Sequence, residues 1–241
     1  MILVLGGTAQ ARELAGALHA DGVAVISSLA GRVKRPRLPA GQTRVGGFGG
    51  SAALARWIDE HDVRAVVDAT HPFAQRISAS AALACPACGV PLARLERPGW
   101  SARPGDRWQW VEDLDAAAAA IGPGARVLLT TGRQGLAAFA ALGEAWFLIR
   151  CVDPPGPPLP PHHELLLSRG PYDVDGELAL IDEHRIGVVV TKDSGSPQTA
   201  AKLDAARTRG LPVIVVRRPP RVDVLTLTSV ADALAWAREP A

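Results

Sequence analysis

Four short stretches carry the residue types that could do chemistry in this chain, and each follows an apolar run. Gly6-Gly7-Thr8 comes after Ile2-Leu3-Val4-Leu5, and a helical pattern follows it. Asp68-Ala69-Thr70-His71-Pro72-Phe73-Ala74 follows Ala65-Val66-Val67, and Thr130-Thr131-Gly132-Arg133-Gln134 follows Val127-Leu128-Leu129. Thr191-Lys192-Asp193-Ser194-Gly195-Ser196-Pro197 follows three consecutive valines. A buried strand breaking into glycines before a helix is the arrangement an anionic phosphate requires. The glycines let the backbone approach the ligand, and the helix start offers unpaired N–H groups. Gly6, Gly7 and Thr8 are therefore candidate nucleotide-binding residues. The spacing is a variant, because a full G-x-G-x-x-G run would place glycine where Thr8 and Ala11 stand. Thr8 can still cap the helix, and Ala11 is small enough for close helix–strand packing. The other three loops place a cation, carboxylates and hydroxyls where ligands bind. Thr70 and Ser196 also suit plain helix capping, and both readings stand at this level.

The next strand decides the kind of nucleotide. An acidic residue at its end would accept the ribose hydroxyls of NAD, whereas NADP calls for hydroxyls and cations around its 2′-phosphate. Val23 to Ser27 ends without a carboxylate and runs into Ser28, Arg32, Lys34 and Arg35. A guanidinium fork suits a phosphate, so NADP is favoured over NAD, with Ser28 and Arg32 as its ligands. A solvated basic loop is the plain alternative.

These loops need a scaffold, and the chain supplies an alternating one. Strands are expected at 2–5, 23–27, 43–45, 65–68, 91–95, 109–111, 126–130, 146–150, 164–167, 187–191, 212–216 and 224–227. Helices are expected at 8–20, 50–61, 73–87, 113–121, 135–141, 175–184, 198–208 and 229–238. Continuous apolar strands alternating with helices predict parallel sheets covered on both faces. The two halves also resemble each other. Gly89-Val90-Pro91-Leu92 and Glu96-Arg97-Pro98 return as Gly210-Leu211-Pro212-Val213 and Arg217-Arg218-Pro219. The opening strand and its glycine turn match Val127 to Gly132, and Trp110-Val111 before an alanine-rich helix matches Leu225 to Leu227. Such ordered self-similarity predicts an α/β protein of two Rossmann-like, doubly wound parallel-sheet domains with a cleft between them. The expected boundary gives 1–112 as the NADP-binding domain and 113–241 as a second α/β domain contributing to the substrate cleft.

Composition excludes several classes. With 48% hydrophobic and 21% charged residues the chain reads as a globular protein, not a disordered one. A net charge of +2 gives no electrostatic footprint for nucleic acid. No apolar run approaches the roughly 20 residues that span a bilayer, and a strand beginning at residue 2 leaves no room for a signal peptide. The expected location is cytoplasmic. Three cysteines are too few for a disulfide framework. Cys85-Pro86-Ala87-Cys88 matches C-x-x-C but lies late in a helical pattern, not at a helix start, and Cys151 does not complete a zinc site. Packed free thiols are favoured over redox or metal function, and no metal or flavin is expected.

Asp68-Ala69-Thr70-His71-Pro72-Phe73-Ala74 resembles the signature of the precorrin-6A reductases, NADPH-dependent enzymes of cobalamin biosynthesis. The resemblance runs the length of the chain through Gly6-Gly7-Thr8 with Arg12 to Ala15, Glu96-Arg97-Pro98 with Trp100, Leu128 to Arg133, and Thr191 to Gly195 followed by Lys202. Ala9-Gln10 and Pro197-Gln198-Thr199 depart from the pattern. The resemblance implies reduction of one ring double bond of precorrin-6A to precorrin-6B by hydride from NADPH, and leaves the cobalt-free and cobalt-containing substrates unseparated. A tetrapyrrole fringed with carboxylates calls for distributed cations, for which Arg94, Arg97, Arg133, Arg150, Arg169 and Lys192 are candidates. Asp68 and Thr70 join the candidate cofactor residues, and Arg97, Arg133, Ser194 and Gly195 the candidate substrate residues. Lys192, Asp193 and His71 are the candidate catalytic groups, by type. Neighbouring pathway enzymes are candidate partners. A reductase of another small substrate and a non-enzymatic NADPH-sensing regulator are the rival readings. No Tyr-x-x-x-Lys pair supports the first, since Tyr172 is the only tyrosine and Gly176 follows four residues on.

Overall fold

In a computed structural model the chain is described over residues 1–31 and 37–239. It divides into two units, residues 1–98 with 219–239 and residues 99–218. Every strand pairing in both units is parallel.

The first unit holds β1 (Ile2–Leu5), β2 (Val25–Leu29), β3 (Gln42–Val45), β4 (Ala65–Asp68) and β5 (Leu92–Leu95), with β12 (Leu225–Leu227) at the edge. Their order is β12-β5-β4-β1-β2-β3, so the winding reverses between β1 and β4. Alternate residues of a strand face opposite sides of its sheet, and the core follows that rule. Ile2 and Val4 pack with Leu14, Leu18 and Ala233, from α1 (Ala9–Ala20) and α7 (Val230–Arg238). Leu3 and Leu5 pack with Leu54, Ile58, Ala81 and Cys85, from α2 (Ser51–Glu60) and α3 (Gln75–Ala87). Cys85 is thus a core residue, and burial pushes its thiol up to about 12. Cys88 Sγ faces the Ala55 carbonyl at 3.4 Å, and both cysteines are free.

The second unit repeats the order as β6-β11-β10-β7-β8-β9. Here β7 (Arg126–Leu129), β8 (Trp146–Cys151), β9 (His163–Leu167), β10 (Val188–Lys192) and β11 (Pro212–Val216) are joined at the edge by β6 (Arg107–Val111). Leu128, Leu148, Val189 and Val213 pack beneath α5 (Val174–Glu183) and α6 (Ala201–Thr208), while α4 (Leu114–Ala119) contacts β6 and β11.

The expected boundary at 112 does not match this division. Strand β6 belongs to the second sheet, pairing Val213 with Trp108, and β12 belongs to the first, pairing Leu225 with Ala93. Each half of the sequence therefore gives its last strand to the other sheet. The helix α7 goes with β12 because Ala233 and Ala237 are wholly buried in the first core. The crossings fall after Pro98 and after Arg218, at the ends of the repeated Glu-Arg-Pro and Arg-Arg-Pro segments. One element also differs from expectation: 135–141 forms only a 3₁₀ turn at Leu136–Phe139, entered through a left-handed Gly135. That turn buries Leu136 and Phe139 without room for a longer amphipathic stripe.

Candidate functional site

In an open α/β sheet ligands bind beyond the carboxyl ends of the strands where the winding reverses. In the first unit that point lies between β1 and β4, where the glycine turn and the Asp68 loop both begin. Gly6 N donates to the Ser28 carbonyl (2.9 Å) and Ala69 N to the Leu5 carbonyl (2.9 Å), extending the sheet bonds into both loops. Gly7 has φ +113°, and a Cβ there would meet nothing within 4 Å. The turn is therefore open above a backbone that only glycine adopts without strain. Thr8 holds it from below. Its Oγ1 donates to the Ala69 carbonyl (2.8 Å) and accepts from Ala11 N (3.1 Å), capping α1 and tying it to β4.

Asp68 is buried and fully engaged. Oδ1 accepts from Thr70 N (3.1 Å) and Thr70 Oγ1 (2.6 Å), and Oδ2 pairs with Arg94 (3.0 Å). Arg94 also donates to Ser78 Oγ and pairs with Glu96 (2.6 Å), whose other oxygen meets Arg221 (3.1 Å). Two guanidiniums balance two carboxylates, so the network fixes the loop without stranding a charge. Arg94 is accordingly a framework residue instead of a substrate-facing cation. His71 is half-buried, and its Nδ1 accepts from Phe73 N (3.3 Å), which leaves the proton of the neutral ring on Nε2. Arg97 donates to Gln10 Oε1 (3.0 Å) in the first turn of α1. Ser28 is the penultimate residue of β2, and its hydroxyl accepts from Arg44 (2.9 Å). Arg32, Lys34 and Arg35 lie outside the described residues.

The reversal in the second unit lies between β7 and β10. Thr130 bonds the Val190 carbonyl through both N and Oγ1, and the hydroxyl of Thr131 is buried without a partner among the described residues. Gly132 has φ +78°, and Arg133 is exposed beside it. Beyond β10, Asp193 accepts from Trp100 N (2.9 Å) and pairs with Arg218 (3.2 Å), both side chains 9% exposed. A Cβ on Gly99 would collide with Asp193 Oδ2, so a side chain there would displace the carboxylate. Ser194 Oγ lies 3.3 Å from Thr199 Oγ1 and accepts from Ser196 N, and Gly195 has φ +62°. Lys192 is half-buried, which pulls its ammonium pKa down.

Beneath this loop lies a second buried ionic group. Arg150 pairs with Glu177 (2.5 Å) and lies 4.0 Å over the Tyr172 ring, so it too is a framework residue. Lys202 is buried within α6, donates to the Thr199 carbonyl (2.6 Å) and sits 4.7 Å from the Trp100 ring centroid. Burial first, and then the nearby Arg150, bring its pKa down to about 7. The candidate residues thus fall into two sets. Gly6, Gly7, Thr8, Ser28, Asp68, Thr70, His71 and Arg97 belong to the first unit, and Arg133, Lys192, Asp193, Ser194 and Gly195 to the second. Reasoning from sequence missed Arg44 and Arg218 and gave no separate role to Lys202 or Trp100. A lysine flanked by Ala200, Ala201 and Leu203 was a legible sign of burial; the partners of Arg44 and Arg218 depend on strand register.

The first unit offers an open turn at a helix start with hydroxyls and no carboxylate at the end of β2. The second offers cations around a hydroxyl-rich loop. The family described as "Precorrin-6x reductase CbiJ/CobK" matches residues 1–238. The chain belongs to this family. It is 55% identical to the precorrin-6A reductase of Rhodococcus erythropolis, covering 98% of this chain and 96% of that one. It is 32% identical to the cobalt-precorrin-6A reductase of Salmonella typhimurium, over 90% and 87%. A solved structure titled CobK precorrin-6A reductase superposes with a TM-score of 0.94 at 42% identity, covering 99% and 96%. As a member of the precorrin-6x reductase family the chain is an oxidoreductase of α/β fold, and no helix among the described residues is long and apolar enough to cross a membrane.

Proposed function

We propose that this protein reduces one ring double bond of precorrin-6A, giving precorrin-6B in cobalamin biosynthesis, with NADPH as hydride donor and no metal or flavin. The full-length family match carries the substrate. It favours the cobalt-free form, since identity is 55% to a precorrin-6A reductase and 32% to a cobalt-precorrin-6A reductase. The open Cβ direction of Gly7 and the missing carboxylate at Ser28 support the cofactor. Gly6, Gly7 and Thr8 would hold the pyrophosphate and Ser28 the ribose side, with the Asp68–Thr70 turn fixing the shape of the neighbouring wall. NADPH supplies a hydride; the chain supplies position, charge and a proton.

Lys192 is the group best suited to act on the substrate. Its ammonium, half-buried at the end of β10, would stabilise charge developing on the ring as hydride arrives. Asp193, held by Arg218 and Trp100 N, positions that loop. Ser194, Gly195, Arg97 and Arg133 are the proposed carboxylate contacts. His71 is the proposed proton donor, in its protonated form. Cytoplasmic location and contact with neighbouring pathway enzymes belong to the same reading. The deciding experiment incubates the protein with NADPH and precorrin-6A or its cobalt form, following loss of nicotinamide absorbance and a product mass heavier by two hydrogens. Turnover of the cobalt-free substrate is expected. Cofactor binding without turnover of either would favour an NADPH-sensing regulator.

A further inference from the structure

Among the described residues Arg44 has no carboxylate partner, yet it is held in one place. It stands on β3 directly opposite Ser28 of β2. Its Nη1 donates to Ser28 Oγ (2.9 Å) and the Gly46 carbonyl (2.9 Å), and its Nη2 to the Gly47 carbonyl (3.3 Å). The guanidinium lies 3.7 Å over the Phe48 ring centroid and 5.7 Å from that of Trp57. All these partners are neutral, and among the described residues no carboxylate pairs with it. Burial lowers its pKa, as expected of a cation that no anion compensates. A solvated surface arginine needs neither an aromatic seat nor a shared hydroxyl. A fixed guanidinium fork beside a hydroxyl at the end of the second strand is what a ribose 2′-phosphate requires.

We propose that Arg44, together with Ser28, forms the 2′-phosphate clamp that selects NADPH over NADH. The proposal rests on the NADPH reading above and adds a residue to it. The clamp works as a unit: Phe48 fixes the plane of the fork, the Gly46 and Gly47 carbonyls fix its rotation, and Ser28 presents a hydroxyl beside it. The Nε hydrogen donates to nothing among the described residues and is available to a phosphate oxygen.

The test measures binding of adenosine 2′,5′-bisphosphate and of 5′-AMP by calorimetry, on the wild type and on Arg44→Gln. The wild type should bind the bisphosphate about tenfold or more tightly than 5′-AMP, the scale of one charge-assisted contact. Arg44→Gln should abolish that difference and leave 5′-AMP affinity unchanged. A wild type that does not discriminate would overturn the NADPH reading and this clamp together. A discriminating wild type whose Arg44→Gln variant still discriminates would overturn the clamp alone. Should Arg44→Gln fail to fold, Arg44→Lys and Ser28→Ala decide the matter. Arg44→Lys should weaken only the bisphosphate and Ser28→Ala should lower the ratio of the two affinities; unchanged ratios in both would overturn the proposal.

Discussion

The two sheets share one strand order, yet their crevices differ in charge and backbone. At the reversal point of the first, Gly7 opens the turn and the ions balance, buried Arg94 and exposed Arg221 against Asp68 and Glu96. At the reversal point of the second, Thr130 and Thr131 stand where the glycine pair would be. Around them Arg150, Lys202 and Arg218 outnumber the two buried carboxylates, Glu177 and Asp193. One topology has thus been specialised twice. An open, locally neutral turn suits a pyrophosphate met by backbone N–H groups, whereas a crevice with surplus positive charge suits a ligand that brings carboxylates.

Swapping the demands on the two turns gives the largest expected effect. Gly7→Val puts a branched side chain at φ +113° and into the space proposed for the pyrophosphate, so NADPH affinity should fall about a hundredfold or more. Gly132→Val, at the matching turn, should leave NADPH affinity near wild type. Fluorescence titration of both variants checks this, and equal losses would erase the distinction between the crevices. The ionic networks come next. Arg94→Leu leaves Asp68 and Glu96 short of a cation, and should cost about 3–5 kcal/mol in denaturant unfolding. Arg150→Leu should cost less, because Lys202 remains near Glu177. A smaller effect, on rate alone, is expected at Lys192. Lys192→Ala should lower kcat about a hundredfold with NADPH affinity unchanged, the scale of removing one electrostatic donor. A change confined to KM would assign it to substrate binding.

Much of this was legible in the chain. All twelve strands lie within a few residues of their expected places, because apolar runs such as Val188 to Val190 are bounded by glycine or polar turns. The repeat showed that the halves share a topology, and the resemblance at Asp68 to Ala74 pointed to the family that the full-length match shows. The exchange of β6 and β12 was not legible. Edge strands of like composition fit either sheet, and only the burial of Ala233 and Ala237 against α1 decides where the last segment goes. The framework roles of Arg94 and Arg150 were hidden for a related reason. An arginine at a strand end looks alike whether it faces a ligand or a carboxylate brought from another element.

The surplus charge of the second unit leads to the most diagnostic effect. Lys202 has an ordinary lysine pKa when unfolded and about 7 when folded. Between those values the unfolded chain binds the extra proton, so stability rises with pH across that window. Below about 7 both states are protonated and the full burden of burying the charge remains; above the unfolded value it vanishes. The wild type should therefore gain stability from pH 7 toward pH 10, at up to about 1.4 kcal/mol per unit from this group. Lys202→Met keeps an unbranched chain over Trp100 but has nothing to titrate, so its slope over the same range should be flatter by that amount. An anion bound above the loop would hold the lysine charged and raise its pKa, moving the wild-type window upward. Measuring unfolding against pH, with and without a small tricarboxylate, reads both effects. A wild type and a Lys202→Met variant with parallel slopes would mean that Lys202 is charged in the resting protein. The surplus charge of the second crevice would then be a permanent feature, present before any ligand arrives.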